Sequence, residues 1–332
     1  MVTTSNPLTP GTPCAPVAPV APLAPAGPVA PRSFLLVLAE KSLALRERFS
    51  RQASPVRTLS RLNDLVTLPG HDQSTHRLRM EWGPTGAEAV PADYAVVVDV
   101  LSFTTTLSVA VERGIEVFPF RWRDSRAAEH AVRHGATLAV GRFEALSRGD
   151  ARHVSLSPAS LSAVEGIERL VLPSPNGSTI AFALADSGAQ VLGACLRNAG
   201  AVARWLAPKV ADGASVVVVP AGERWHDGTL RPAVEDLWGA GAVLAGLLEE
   251  AGAGTAASPE ARMAVAAWRA ATMPDDLLLC ASGLELAEVG FAADVEIAAQ
   301  HDVSEVVPVL VGESFRDDDP QPPGPRLRRV PE

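Results

Sequence analysis

With 332 residues and 47% hydrophobic content, the chain is long enough for two ordinary domains or one large domain with appendages, and apolar enough to bury a real core. Its 38 acidic against 29 basic residues give a formal net charge of -9, which argues against general affinity for nucleic acid or anionic membranes and leaves small molecules or proteins as partners. The three cysteines, Cys14, Cys195 and Cys280, lie far apart without a C-x-x-C pair, so neither a disulfide framework nor a zinc site is expected and a cytoplasmic location fits.

Residues 1–32 are mostly Pro, Ala, Val and Gly in repeated A-P units, which deny the backbone helix hydrogen bonds and predict a disordered tail. This stretch has no Lys or Arg before residue 31, and prolines interrupt its apolar runs, so neither a signal nor a transit peptide is indicated. Residues 33–90 form an arginine-rich extension. A short helical segment is expected at Phe34–Leu45, and no clear period follows it. From residue 91 the pattern becomes regular, with strands predicted at Tyr94–Val98, Glu116–Phe120, Thr137–Val140, Arg169–Leu172, Gln190–Gly193, Ser215–Val219 and Asp276–Cys280. Helices are predicted at Ser125–His134, Ala199–Leu206 and Ala233–Ala251. Strands alternating with helices predict an α/β layered domain over 91–312. A charged, proline-rich tail follows over 313–332, and the longest low-polarity stretches, such as Gly239–Leu248, are too short to span a bilayer.

The stretch around which the chemistry gathers is Tyr94–Gly114. A continuous β-branched run ends in a carboxylate, Asp99, and a corner with Ser102, Thr104 and Thr105 then opens a helix. Such helix starts favour anions, and open α/β sheets place ligands at the tips of strands. Asp99 could equally be a plain helix cap. A second corner, PSPNGSTI after RLVL, offers Asn176, Gly177 and Ser178. Asn or Gly can take positive φ in this tight turn, with successive N–H groups able to cup an anion.

A third corner follows SVVVVP and brings Glu223, Arg224, His226, Asp227, Arg231, Glu235 and Asp236 to a buried strand tip. Glu235 and Asp236 would either satisfy a helix dipole, with Pro232 near its first position, or ligate a hard cation such as Mg²⁺. Arg224 and Arg231 could clamp an oxyanion. In Ser282–Asp302, Asp294 and Asp302 rank below Asp99 as ligands. His130 and His134 stand one turn apart with no third ligand, which predicts a solvated helix face. The chain lacks G-x-G-x-x-G, Walker and G-x-S-x-G loops, and Lys209 after Pro208 is expected between elements, so dinucleotide, NTP, hydrolase-elbow and Schiff-base chemistry are not indicated. Leu101, two positions after Asp99, stands where aspartyl-phosphate phosphatases carry a second acid, so a phosphoenzyme on Asp99 is disfavoured.

Taken together, DVLSFTTTL, LPSPNGSTIA, GACLRNAGAVA, PAGERWHDGTLRPAVEDLWGAGAV and SGLELAEVGFAADVEIAAQHDVSEVVPVL resemble the 2-phosphosulfolactate phosphatase family in order and spacing. The resemblance implies a three-layer α/β/α fold with a mixed, largely parallel sheet built from two similar subdomains. It also implies a Mg²⁺-dependent phosphatase acting on 2-phospho-3-sulfolactate on the route to coenzyme M. By position it places Asp99 at the acid of the family's D-V-L-R corner, Asn176 and Gly177 in its T-N-G-T turn, and Glu235 and Asp236 at its E-D pair. With the reading of the corners above, this leads to expected catalytic roles for Asp99, Glu235 and Arg224, metal binding by Asp99, Glu235 and Asp236, and substrate binding by Ser102, Thr104, Thr105, Asn176, Gly177, Ser178 and Arg231. The chain departs from the pattern at Ser102, where the family has arginine. Val140, Gly141, Arg142 and Phe143 stand for its G-G-E-R, and Ser155, Leu156, Ser157 and Pro158 for its G-N-S-P. Losing an arginine from a site meant for a phosphate and a sulfonate bears on which substrate is taken.

The expected partner is therefore a small phosphorylated acid, with no nucleic acid and no membrane. A homo-oligomer is compatible with that expectation. Two alternatives stand beside it: a non-catalytic protein that binds a phosphorylated or sulfonated acid, and a scaffold whose working parts are residues 1–90.

Overall fold

The computed structural model describes residues 70–318, other than 122, 123, 143, 145–153 and 253. The expectations for residues 1–69 and 319–332, including the disordered tails and the helical segment at Phe34–Leu45, lie outside these described residues.

A nine-stranded sheet organises the described residues. In chain order its strands are β1 (Leu78–Met80), β2 (Tyr94–Val98), β3 (Glu116–Phe120), β4 (Thr137–Leu138), β5 (Arg169–Pro173), β6 (Gln190–Ala194) and β7 (Val216–Pro220). The hairpin β8 (Glu223–Arg224) and β9 (Leu230–Arg231) stands apart from the sheet, and β10 (Pro308–Val311) and β11 (Ser314–Asp317) complete it. The spatial order is β1-β7-β2-β6-β10-β11-β3-β5-β4. Strands β1, β7, β2 and β6 form one parallel block, and β3, β5 and β4 form a second. The β10–β11 hairpin pairs antiparallel on both sides, so the two blocks run in opposite directions.

The sequence explains the layering. In β2 and β7 successive valines alternate between two apolar clusters. Val96, Val98, Val216 and Val218 face one, and Ala95, Val97, Val217 and Val219 face the other. Both faces are thus dry, as a parallel sheet requires, and each buried valine contributes about 1.5–3 kcal/mol. The second cluster is covered by α1 (Gly83–Ala89), α2 (Phe103–Glu112), α4 (Pro158–Ala163) and α5 (Gly177–Asp186). The first is covered by α6 (Ala199–Ala211), α7 (Val234–Glu250) and α8 (Pro259–Ala270), with α9 (Asp275–Leu279), α10 (Ala281–Glu288) and α11 (Ala292–Ala298) beyond. Helix α3 (Ser125–His134) packs Ala127 and Ala131 on Phe118, Phe120 and Val171 in a small third cluster. The result is the α/β fold with helices on both faces of a mixed, mostly parallel sheet. Among the described residues no helix is long and apolar enough to cross a membrane.

Several local expectations need correction. Asp276–Cys280 is not a strand but lies on the short helix α9, where Leu277 is buried and Leu279 exposed. A short apolar run carries no period that separates the two states. Residues 78–89, expected in the extension, form β1 and α1. The expected end at Gly312 falls in the turn of the β10–β11 hairpin, where Gly312 adopts φ +63 and the fully buried Phe315 follows. Lys209 lies inside α6, which accommodates Pro208. Pro232 precedes the α7 N-cap, Ala233, rather than occupying its first turn. His130 is not solvated: its ring is buried and stacks on Phe120 at 4.8 Å between centroids, and burial lowers its pKa.

Candidate active site

Strands β2, β6 and β7 end level, with Val98 opposite both Ala194 and Pro220. The residues that follow β2 and β7 are consequently neighbours, and Ala221 N donates to Val98 O at 2.8 Å. Asp99 begins the corner after β2. Its Oδ1 accepts from Phe103 N at the start of α2, and its Oδ2 accepts from Gly177 N at the start of α5, each at 3.1 Å. Two helix starts therefore converge on one carboxylate. Burial pushes Asp99 above the ordinary carboxyl range, the two N–H groups draw it back, and nearby Glu235 adds to the rise.

Gly177 is required at this meeting point by space rather than by φ, because neither it nor Asn176 (φ -92) adopts the positive φ open to such a turn. A Cβ on Gly177 would lie 2.3 Å from Phe103 Cδ1 and 2.9 Å from Asp99 Oδ2. Only a glycine lets the two helix starts close on the acid.

The acidic pair on α7 reaches the same place by another route. Asp236 is buried, and its oxygens accept from Val100 N at 2.7 Å and Gly222 N at 2.9 Å, tying the corner after β2 to the corner after β7. Burial, with Asp99 and Glu235 close by, holds its pKa well above the usual range. Glu235 is equally buried, and its Oε2 meets no hydrogen-bond partner. Glu223, at the start of β8, takes Asn176 Nδ2 on Oε2 at 3.0 Å. Burial first, and then Asp99, raise its carboxyl to about 7. Cys280 beside Glu235 is pushed up to about 12 by burial and by that carboxylate, so its thiol remains protonated and no nucleophile.

A cavity of about 400 Å³ opens over this cluster. Asp99, Ser102, Asn176, Glu223, Arg224 and Arg142 are among its lining residues. Glu235 and Asp236 lie behind Asp99 rather than in the lining. Thr104, Thr105 and Ser178, expected to meet substrate, are buried and turned inward. Thr104 Oγ1 donates to Asp99 O at 2.8 Å, Thr105 Oγ1 to Val100 O at 2.7 Å and Ser178 Oγ to Leu172 O at 3.4 Å, so they brace the two corners. Arg231 donates to Ser282 Oγ at 3.2 Å, beside the cavity, and Arg224 donates to Gly228 O at 3.0 Å within the exposed hairpin loop. Asp302 is a cap, accepting from Gly200 N at 2.7 Å.

Glu223 and Arg142 are among the lining residues not singled out as site residues from sequence. Glu223 carried a usable signal, a carboxylate immediately beyond a wholly apolar strand. Arg142 had almost none. Its Nε donates to Asp294 Oδ2 at 2.9 Å and its Nη2 donates to Ser102 Oγ, so a guanidinium stands against Ser102.

Among the described residues no three His, Cys, Asp or Glu side chains gather into a complete metal ligand set. Mg²⁺ does not need one, since it is held by one or two carboxylates together with waters and substrate oxygens. Three buried carboxylates beside a half-buried fourth, with one buried oxygen left unpaired, are a costly arrangement that a divalent cation would relieve, and the donor set fits such an ion.

Residues 84–313 match the 2-phosphosulpholactate phosphatase family. A Thermus thermophilus protein named probable 2-phosphosulfolactate phosphatase is 35% identical over 239 residues, covering 71% of this chain and 95% of its own. A Deinococcus radiodurans protein of the same name is 31% identical over 221 residues, covering 66% and 88%. The convergence of the three corners is thus embedded in a chain that belongs to the 2-phosphosulpholactate phosphatase family.

Proposed function

We propose that the protein is a Mg²⁺-dependent phosphatase that hydrolyses a small acidic phosphomonoester, with 2-phospho-3-sulfolactate giving 3-sulfolactate and phosphate as the reaction its relatives' names support. The observation that carries this reading is the position of Asp99. It lines the cavity, is oriented by two helix-start N–H groups, and lies beside a buried glutamate oxygen with no partner.

Asp99, which lines the cavity, and Glu235, with its unpartnered oxygen, would hold the ion, and Asp236, which is not in the lining and accepts from Val100 N and Gly222 N, would fix the loops around it. Bound Mg²⁺ would supply Lewis-acid polarisation and charge neutralisation at the phosphoryl oxygens. Arg224 and Arg231 would complete the neutralisation from the β8–β9 side. Glu223, whose carboxyl is raised in the metal-free protein first by burial and then by Asp99, is placed to hold a proton for the leaving alkoxide, and Asn176 fixes its carboxyl. Water adds to phosphorus, the ester P–O bond breaks, the departing oxygen takes the proton from Glu223, and the water's protons remain on the phosphate until one restores Glu223.

The test is phosphate release from 2-phospho-3-sulfolactate and related esters, with Mg²⁺ and after chelation, by wild type and Asp99→Asn. Chelation and Asp99→Asn should each lower kcat/KM by about 10³-fold, as the loss of several kcal/mol of transition-state stabilisation demands. Undiminished hydrolysis in chelator, or none of any acidic phosphomonoester with Mg²⁺ present, would refute the proposal.

A further inference from the structure

We infer that Arg142 and Ser102 form a subsite for a second acidic group of the substrate, a sulfonate or carboxylate separate from the phosphate, and that Arg142 is a specificity-determining residue. The inference rests on the phosphatase reading for its account of turnover but not for the existence of the subsite.

The cavity is rich in acids. Asp99, Glu223 and Glu285 are in its lining, so a substrate carrying an acid besides its phosphate is repelled unless a cation meets that acid. Two guanidinium groups line the cavity, those of Arg142 and Arg224. Arg224 is exposed on the β8–β9 hairpin. The Arg142 side chain is only 15% exposed, and it is fixed on several sides. Its Nε edge is held by Asp294, a carboxylate 1% exposed that also accepts from Ser157 Oγ and Ala159 N, and the Phe291 ring lies 5.6 Å from its Cζ.

Asp294 thus takes one edge of the guanidinium and shares its own charge among three donors. Nη2 donates to Ser102 Oγ, and Nη1 meets no hydrogen-bond partner among the described residues. Because Ser102 Oγ is the acceptor in that contact, its own O–H is left to donate. Ser102 and Arg142 are both cavity-lining, so a hydroxyl and a forked cation present donors to the same space, the pattern that recognises a planar or tetrahedral oxyanion. A guanidinium held in place before the ligand arrives also loses less freedom on binding than an exposed one.

The experiment compares kcat/KM for 2-phospho-3-sulfolactate, for 2-phospholactate, which lacks the sulfonate, and for isopropyl phosphate, which carries no acid beyond the phosphate. It uses full-length wild type, Arg142→Gln and Arg142→Lys with Mg²⁺, alongside thermal melts. The Lys variant keeps a charge against Asp294 and guards against failure of the Gln variant to fold. The preference for 2-phospho-3-sulfolactate over isopropyl phosphate should fall about 10- to 100-fold in Arg142→Gln, mainly through KM, and by less in Arg142→Lys. An unchanged preference in a folded variant, with all three esters slowed alike, would overturn the inference.

Calorimetry with 3-sulfolactate separates this result from the phosphatase reading. Binding to wild type that weakens by a similar factor in Arg142→Gln would support the subsite even if no ester were hydrolysed. Equal binding to both would count against it.

Discussion

The two walls of the cavity are built by different means. On the acidic wall, Asp99 and the Asp236 that lies behind it are held by backbone N–H groups at strand tips and helix starts, those of Phe103, Gly177, Val100 and Gly222. On the basic wall, Arg142 is held by side chains, Asp294 152 positions away in the chain and Ser102 40 positions away. Backbone donors are supplied by any residue, so the acidic wall depends on the acids themselves and on room for the chain to approach. The basic wall depends on the identity of each partner, and its chemistry can change without disturbing the fold.

This contrast can be broken at several points. The largest stability loss is expected for Asp236→Ala, which leaves Val100 N and Gly222 N without their acceptor at a cost of about 1–3 kcal/mol each. Denaturant titration should register the sum, and a change below about 0.5 kcal/mol would mean that water replaces the carboxylate. Gly177→Ala comes next, at about 1–3 kcal/mol for forcing Phe103 and Asp99 to yield, and it should cost activity out of proportion to stability. Full activity in that variant would show that Asp99 need not be gripped by α5.

The third effect depends on pH. Glu223 has its carboxyl raised to about 7 in the folded protein from 4.5, so its ionisation penalises folding. That penalty is absent below about pH 4.5, grows as pH rises to about 7 and is constant above. In chelator-treated protein, Glu223→Gln should therefore gain thermal stability over wild type as pH is raised from 4.5 to 7, and hold that gain at pH 8. A pH-independent difference would show that Glu223 is not penalised by burial. The smallest effect is expected at Arg204→Ala. It removes an ion pair with Glu305 whose side chains are 50% and 66% exposed, and stability should move by less than about 1 kcal/mol. A larger change there would mean that exposure is a poor guide to which ion pairs matter in this protein.

The same contrast explains what could be read in advance. Strands β2, β3, β5, β6 and β7 announce themselves by continuous apolar runs, and Asp99, Asn176, Glu223 and Glu235 stand at or just beyond the corners and helix starts that follow such runs. The β10–β11 hairpin was illegible because it joins the sheet only through pairings with β6 and β3, each more than a hundred residues upstream. The hydroxyls of Thr104, Thr105 and Ser178 looked like ligand donors in the sequence. Only the packed corners reveal that main-chain carbonyls claim them.

Sequence alone determined the layered α/β class, the strand tips and the acids that follow them, because alternation, apolar runs and helix starts are local properties of the chain. Tertiary structure decided that Gly177 must close on Asp99, that Asp236 is a clamp with both oxygens engaged, and that Arg142 faces Ser102. Those outcomes depend on distances between segments remote in sequence, which are fixed only when both faces of the sheet are buried and the two parallel blocks are joined through the terminal hairpin.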